Sequence, residues 1–163
     1  RYELLCFDVL TAPNTTAVNE QLEAPIDPAQ SLHFHPSTRI GSFTYPVHEA
    51  EPIEGQHGEP QALATRVLAY RDEDNELRQL VLSPFTATLL ACLLLEGEPL
   101  GSCIQTTCST QKQALNKELL ESIAELLADL RTRGALLGAR SKNDITEPPS
   151  PWRGWLYEGK KQR

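Results

Sequence analysis

Methionine is absent from all 163 residues, and the chain opens inside an apolar pattern, RYELLCFDVL, rather than at a translation start. The expectation is a fragment or a trimmed protein. Positive charge is scarce: 15 Lys and Arg stand against 22 Asp and Glu, a net charge of −7. Holding a phosphate backbone takes clustered cations. The balance therefore counts against whole-surface attraction to nucleic acid and leaves two local clusters, Arg131, Arg133 and Arg140 with Lys142, and Lys160, Lys161 and Arg163. Long apolar runs are missing too. The longest, TATLLACLLLEG, is too short to span a bilayer, which takes about 20 residues, so no membrane segment is expected. Four cysteines without a visible secretion signal do not form a disulfide scaffold, and a reducing cytoplasm is the default. No nucleophile elbow, phosphate loop or paired-carboxylate motif occurs. DEDNE at 72–76 lacks the sharp-turn glycine and distant glutamate of a calcium loop. The chain shows no means of catalysis and is expected to be neither an enzyme nor a cofactor carrier.

What is present reads as a soluble α+β domain. Leu4, Leu5, Phe7 and Val9 beside Tyr2 and Cys6 predict a buried helix over 2–10 that stops before Pro13, the end (1–12) of a preceding helical domain. Pro13, Pro25 and Pro28 mark 13–41 as a connector. Residues 42–50 alternate like a strand, with Pro46 demoting it to an edge or a bulge. EPIEGQHGEP reads as a loop. Apolar runs 66–71 and 77–82 about the polar tip 72–76 make the clearest hairpin.

The second half is helical. Ser83 and Pro84 start a helix over 84–96, stopped by Gly97. Pro99 opens a shorter helix through Thr106, and a long one runs from Gln111 to Arg133, with Leu115, Leu119, Ile123, Leu126, Leu127 and Leu130 as one apolar stripe. ALLGAR (135–140) is a candidate return strand. A β-hairpin or small antiparallel sheet followed by three helices describes a winged-helix-like α+β domain over 42–140, with an extended tail over 141–163. That layout serves DNA readers and peptide readers alike.

Among chemical candidates, His33 and His35, with His48 and His57, lack the cysteine partners and ligand count of a structural zinc site; no metal is expected. Cys103 and Cys108 in CIQTTC lie about 140° apart on a helix and read as buried thiols. Cys6 and Cys92 read as core. Trp152, Trp155 and Tyr157 in the proline-bounded tail dock either on the domain or on a partner.

The order RYELLCFDV, then HPSTRIGSFTYPV, then VLAYRDEDNELRQLVLSPFTATLL resembles the C-terminal part of the HvfC-type family, whose members carry a label as DNA-binding proteins; the methanobactin partner protein MbnC is a more distant analogue. The signature residues are His35, Pro36, Ser37, Arg39, Tyr45, Pro46, Val47, Tyr70, Arg71 and Asp72. The resemblance implies a non-catalytic partner that binds the leader of a ribosomally made precursor peptide and holds it against a multinuclear non-heme iron oxidase. The alternative is a DNA-binding transcriptional regulator. Peptide capture by a sheet edge needs free backbone groups and side-chain pockets. The expected groove combines Leu77, Gln79 and Val81 with the helix face around Leu119 and Ile123. The stretch 33–52 is expected to be structural, with Pro46 blunting an edge and Arg39 anchoring the loop to a carboxylate.

Overall fold

The computed structural model describes residues 1–13, 26–46 and 62–139. Helix α1 (Tyr2–Thr11) is followed by strands β1 (Leu32–Phe34), β2 (Arg39–Phe43), β3 (Thr65–Arg71) and β4 (Leu77–Val81). Helix α2 (Pro84–Ala91) then runs into a single π turn (Cys92–Glu96), and α3 (Leu100–Gln111), α4 (Lys117–Thr132) and strand β5 (Leu136–Ala139) complete the order. The strands form an antiparallel three-stranded sheet, β2-β3-β4, and a separate antiparallel ribbon, β1-β5. The chain is thus an α+β domain with a small antiparallel sheet.

The sheet is covered on both faces because its central strand is apolar on both. Leu68 and Tyr70 of β3 join the main core with Leu80, the ribbon residues Leu32, Phe34 and Leu136, and Leu89, Leu90, Ile104, Ile123, Leu127 and Leu130 of the helices. Ala69, on the opposite face of the pleat, packs with Leu5 and Val9 of α1 and with Phe43 and Leu77. Gly41 lets α1 come this close: a Cβ there would lie 2.8 Å from the Phe43 ring and 3.1 Å from Leu5 Cδ2.

Local chemistry sets the helix ends. Ser83 Oγ accepts the Thr86 N–H at 3.1 Å with Pro84 at the first helical position, and Gly97 takes the left-handed conformation (φ 67°) that stops the π turn, where a side chain would be strained.

Several boundaries differ from the sequence-based expectation. β1 and the start of β2 fall within the stretch read as connector, since β1 finds its partner in β5, about a hundred residues away. The strand expected over 42–50 is Arg39–Phe43, so Pro46 follows the strand instead of interrupting it. α3 continues past Thr106 to Gln111 because Thr107 and Cys108 are buried. α4 starts at Lys117, not Gln111: Asn116 Oδ1 caps it by accepting the Leu119 N–H at 2.8 Å, which leaves Leu115 outside the stripe and exposed. Helix α1 buries Leu5 and Val9 alone among its large apolar residues; Leu4 and Phe7 face outward.

The cysteines also depart from expectation. Cys103 is joined to Cys92 in a disulfide with Cα atoms 5.7 Å apart, while Cys108 is a buried free thiol. The corner at Gly97–Pro99 folds α3 back on α2 and brings these two residues together, a meeting that linear spacing does not reveal. Cys6 is half-buried beside Gln79 rather than in the core.

Candidate functional site

The signature stretch His35–Arg39 forms the joint between ribbon and sheet. His35 N–H donates to the Ala135 carbonyl (2.9 Å), Thr38 N–H to the His35 carbonyl (2.8 Å) and Thr38 Oγ1 to the Ala135 carbonyl (3.2 Å). The register that pairs Arg39 with Ala69 would set residue 37 opposite Arg71. There the Ser37 hydroxyl, fully buried, accepts the Arg71 N–H at 3.0 Å and so extends the ladder by one side chain. Ser37 Oγ lies 2.7 Å from His35 Nδ1, which also accepts the Ser37 N–H at 3.2 Å. The ring therefore carries its proton on Nε2. Burial, then the charges of Arg71 and His33, push the His35 pKa below its ordinary value.

Arg71 is itself buried and caps α1. Its guanidinium donates to the carbonyls of Ala12 (2.5 Å), Pro13 (3.4 Å) and Leu10 (3.5 Å), where the helix dipole is negative. Its Nε has no partner among the described residues. Arg39 donates to the carbonyls of Pro36 (2.6 Å) and Thr38 (3.0 Å). Tyr70 is core, Tyr45 is exposed in the turn after β2 and Pro46 is half-buried there; Val47 lies outside the described residues. His35, Pro36, Arg39, Tyr70 and Arg71 are thus a structural joint. His33 is exposed on β1. His48, His57 and the aromatic tail residues Trp152, Trp155 and Tyr157 lie outside the described residues.

The second feature is the outer edge of β4. Leu82 donates its N–H to the Arg66 carbonyl (2.8 Å) and Asp72 to the Glu76 carbonyl (3.1 Å), at the two ends of an unbroken register. Hydrogen-bonded pairs alternate along an antiparallel ladder, so they fall on Leu80 with Leu68 and on Arg78 with Tyr70. Leu77, Gln79 and Val81 occupy the positions between, and their N–H and C=O groups point out of the sheet. Among the described residues no strand pairs with that edge. The side chains of these three residues face α1: Leu77 packs with its core, the Gln79 Oε1 accepts the Tyr2 hydroxyl at 2.6 Å, and Val81 is 56% exposed.

Leu119 and Ile123 pack instead into the main core on the other face of the sheet. The structure does not bring them together with the side chains of Leu77, Gln79 and Val81 in one groove. The alternation of the pleat separates them, and the neighbour on the β4 side is α1, which the sequence pattern had marked only as a buried helix.

A cavity of about 250 Å³ lies between the hairpin tip and the end of α4, lined by Tyr70, Asp72, Arg78, Thr132 and Arg133 among others. Its guanidiniums are already engaged, Arg78 by Asp72 and Glu76, Arg133 by Asp129. Among the described residues no three His, Cys, Asp or Glu side chains gather as metal ligands, and no helix is long and apolar enough to cross a membrane.

These features define a small α+β domain with a signature joint and an open strand edge. The family model of the HvfC C-terminal domain matches residues 36–131, more than half of the chain. The chain belongs to that family. No curated protein matches it.

Proposed function

We propose that this chain is a non-catalytic recognition partner, which binds the leader of a ribosomally made precursor peptide and presents it to a multinuclear non-heme iron oxidase. The observation that carries the reading is the β4 edge, where three alternate outward positions have backbone donors and acceptors that no strand among the described residues takes up. Such an edge recognises extended peptide by its main chain. Membership of the HvfC C-terminal domain family agrees with this reading. We read the hairpin with its three helices as winged-helix-like. As a DNA reader that arrangement is poorly charged: α3 has no charged residue, and α4 sets Lys117 and Arg131 against Glu118, Glu121, Glu125 and Asp129. Specific DNA readers present a basic face.

The test is calorimetry of the purified chain with the leader of the precursor peptide encoded beside the iron oxidase. Saturable binding at micromolar Kd or tighter, about −8 kcal/mol, is expected. Proline at Gln79 removes an outward N–H without touching the β3–β4 ladder. Gln79→Pro is expected to abolish binding with its thermal midpoint close to that of a Gln79→Ala control, which isolates loss of the Tyr2 bond. Unchanged affinity in folded Gln79→Pro would take the leader away from this edge.

A further inference from the structure

The corner between α2 and α3 receives the segment that leads into β1. Gly101 N–H donates to the Pro28 carbonyl at 2.8 Å, Leu100 N–H to the Gln30 carbonyl at 3.0 Å and the Ser31 hydroxyl to the Gly97 carbonyl at 2.8 Å. Gly101 permits the approach, since a Cβ there would lie 3.2 Å from the Pro28 oxygen. Ile26, just before this segment, packs against the main core. The corner is also where the disulfide lies. It joins Cys92, the first residue of the π turn, to Cys103 near the start of α3, so the two ends of the loop that holds residues 28–31 are tied to each other.

The surroundings of the two sulfurs suit thiols as well as a disulfide. Cys92 Sγ lies 3.2 Å from Glu96 Oε2, and Cys103 Sγ lies 3.8 Å from the Glu98 carbonyl oxygen. A disulfide has no proton to give to either oxygen, whereas each thiol finds an acceptor in place. Cys103 is fully buried and Cys92 is 6% exposed, so a reagent meets Cys92 first. It does so at a π turn, a form that occurs mostly as single turns and often at functional sites, ending at left-handed Gly97. We infer that Cys92 and Cys103 form a reversible dithiol–disulfide latch that sets how firmly residues 28–31 are held to the corner. This stands apart from the strand-capture reading. The co-reactant is glutathione disulfide. The Cys92 thiolate attacks one of its sulfurs, forming a mixed disulfide as the glutathione S–S bond breaks and a first glutathione thiolate leaves. The Cys103 thiolate then attacks the Cys92 sulfur and releases the second. The pair gives up two electrons and two protons, and both end in two glutathione thiols; reduced glutathione reverses the exchange. The Glu96 carboxylate disfavours the Cys92 thiolate, which slows attack, and its charge-assisted hydrogen bond favours the reduced pair.

The test equilibrates the full chain in buffers of graded reduced to oxidised glutathione, alkylates the remaining thiols in denaturant and locates them by peptide mass spectrometry. Cys92 and Cys103 are expected to pass together from alkylated to linked within the series. Glu96→Gln, a change at an exposed position, should reach half-oxidation at a ratio about threefold more reducing. Hydrogen exchange of the two end states reads the consequence. At labelling times too short to exchange the β3 amides in either state, Leu100 and Gly101 should exchange about tenfold faster in the reduced chain. A Cys92→Ser, Cys103→Ser double variant should match the reduced chain even in oxidising buffer. A pair that stays linked in excess reduced glutathione, or never links in excess glutathione disulfide, is no latch. Equal exchange at Leu100 and Gly101 in both states, or a rise that comes only together with the β3 amides, would make the link a staple of the whole fold and overturn the inference.

Discussion

Ser37 occupies a place where the β2–β3 ladder has run out of backbone, and its hydroxyl takes the Arg71 N–H that would otherwise be buried without an acceptor. An unsatisfied buried donor costs about 1–3 kcal/mol, which gives the residue a reason to be serine. His35 completes the arrangement by accepting from Ser37, a role open to the neutral ring alone. Because its pKa is lowered by burial first and by Arg71 second, the folded protein binds fewer protons than the unfolded chain once pH falls below about 6.5. The stability linked to His35 is complete above that value and is lost as pH drops through the lowered pKa. Asparagine can offer an acceptor near the Nδ1 position without titrating. His35→Asn should therefore lose less stability than wild type between pH 7 and pH 5, measured as urea midpoints at the two values. Parallel losses would show that the ring's protonation is not resisted by the fold. The signature HPSTR was legible in sequence as a mark of family. Its role was not, because the partners of Ser37 and Thr38 are Arg71 and Ala135, whose places depend on two separate sheet registers.

Local signals explain which elements could be read in advance. The hairpin β3–β4 was legible because two apolar runs on either side of a polar tip are contained in the sequence itself, and α2 because Ser83 and Pro84 announce its start. The start of α4 was misplaced although Asn116 carries a clear capping signal; the leucine at 115 continues the apolar spacing and masks it. The corner between α2 and α3 was illegible for a different reason. A disulfide between residues 11 apart depends on how the chain turns at Gly97 and Pro99. Closing a loop of this length stabilises by about 2–3 kcal/mol in the chain-entropy account. A reducing compartment would hold the pair as thiols. Dithiothreitol is expected to lower the thermal midpoint of wild type by several degrees, about 3–5 °C per kcal/mol for a domain of this size. A Cys92→Ala, Cys103→Ala double variant should melt at the lower temperature with or without reductant. A wild-type midpoint indifferent to reductant, with four alkylatable thiols in the unfolded chain, would exclude the link.

At the scale of the molecule, three layers account for where recognition is possible. The main core and the α1 core use up both faces of the sheet, so a ligand that seeks sheet meets it at an edge. The sequence indicated Leu77, Gln79 and Val81 through their strand alone, and their outward backbone follows from the register. It set Leu119 and Ile123 beside these residues, although they pack on the opposite face, because an apolar stripe on α4 says that a helix is buried, not which side of a two-sided sheet it covers. Charge bears on the same question from outside. With a net charge of −7, this chain would have to gather its few cations into one face to hold duplex DNA, and the described helices do not. A fluorescein-labelled duplex of mixed sequence is therefore expected to show no saturable binding at 0.15 M salt and at most weak binding at 0.05 M. A protein making even six phosphate contacts would instead gain about a thousandfold in affinity over a comparable drop in salt. A steep gain of that kind, abolished by reversing the charge of Arg131 and Arg133, would move the proposal from peptide to nucleic acid, whatever the β4 edge can accept.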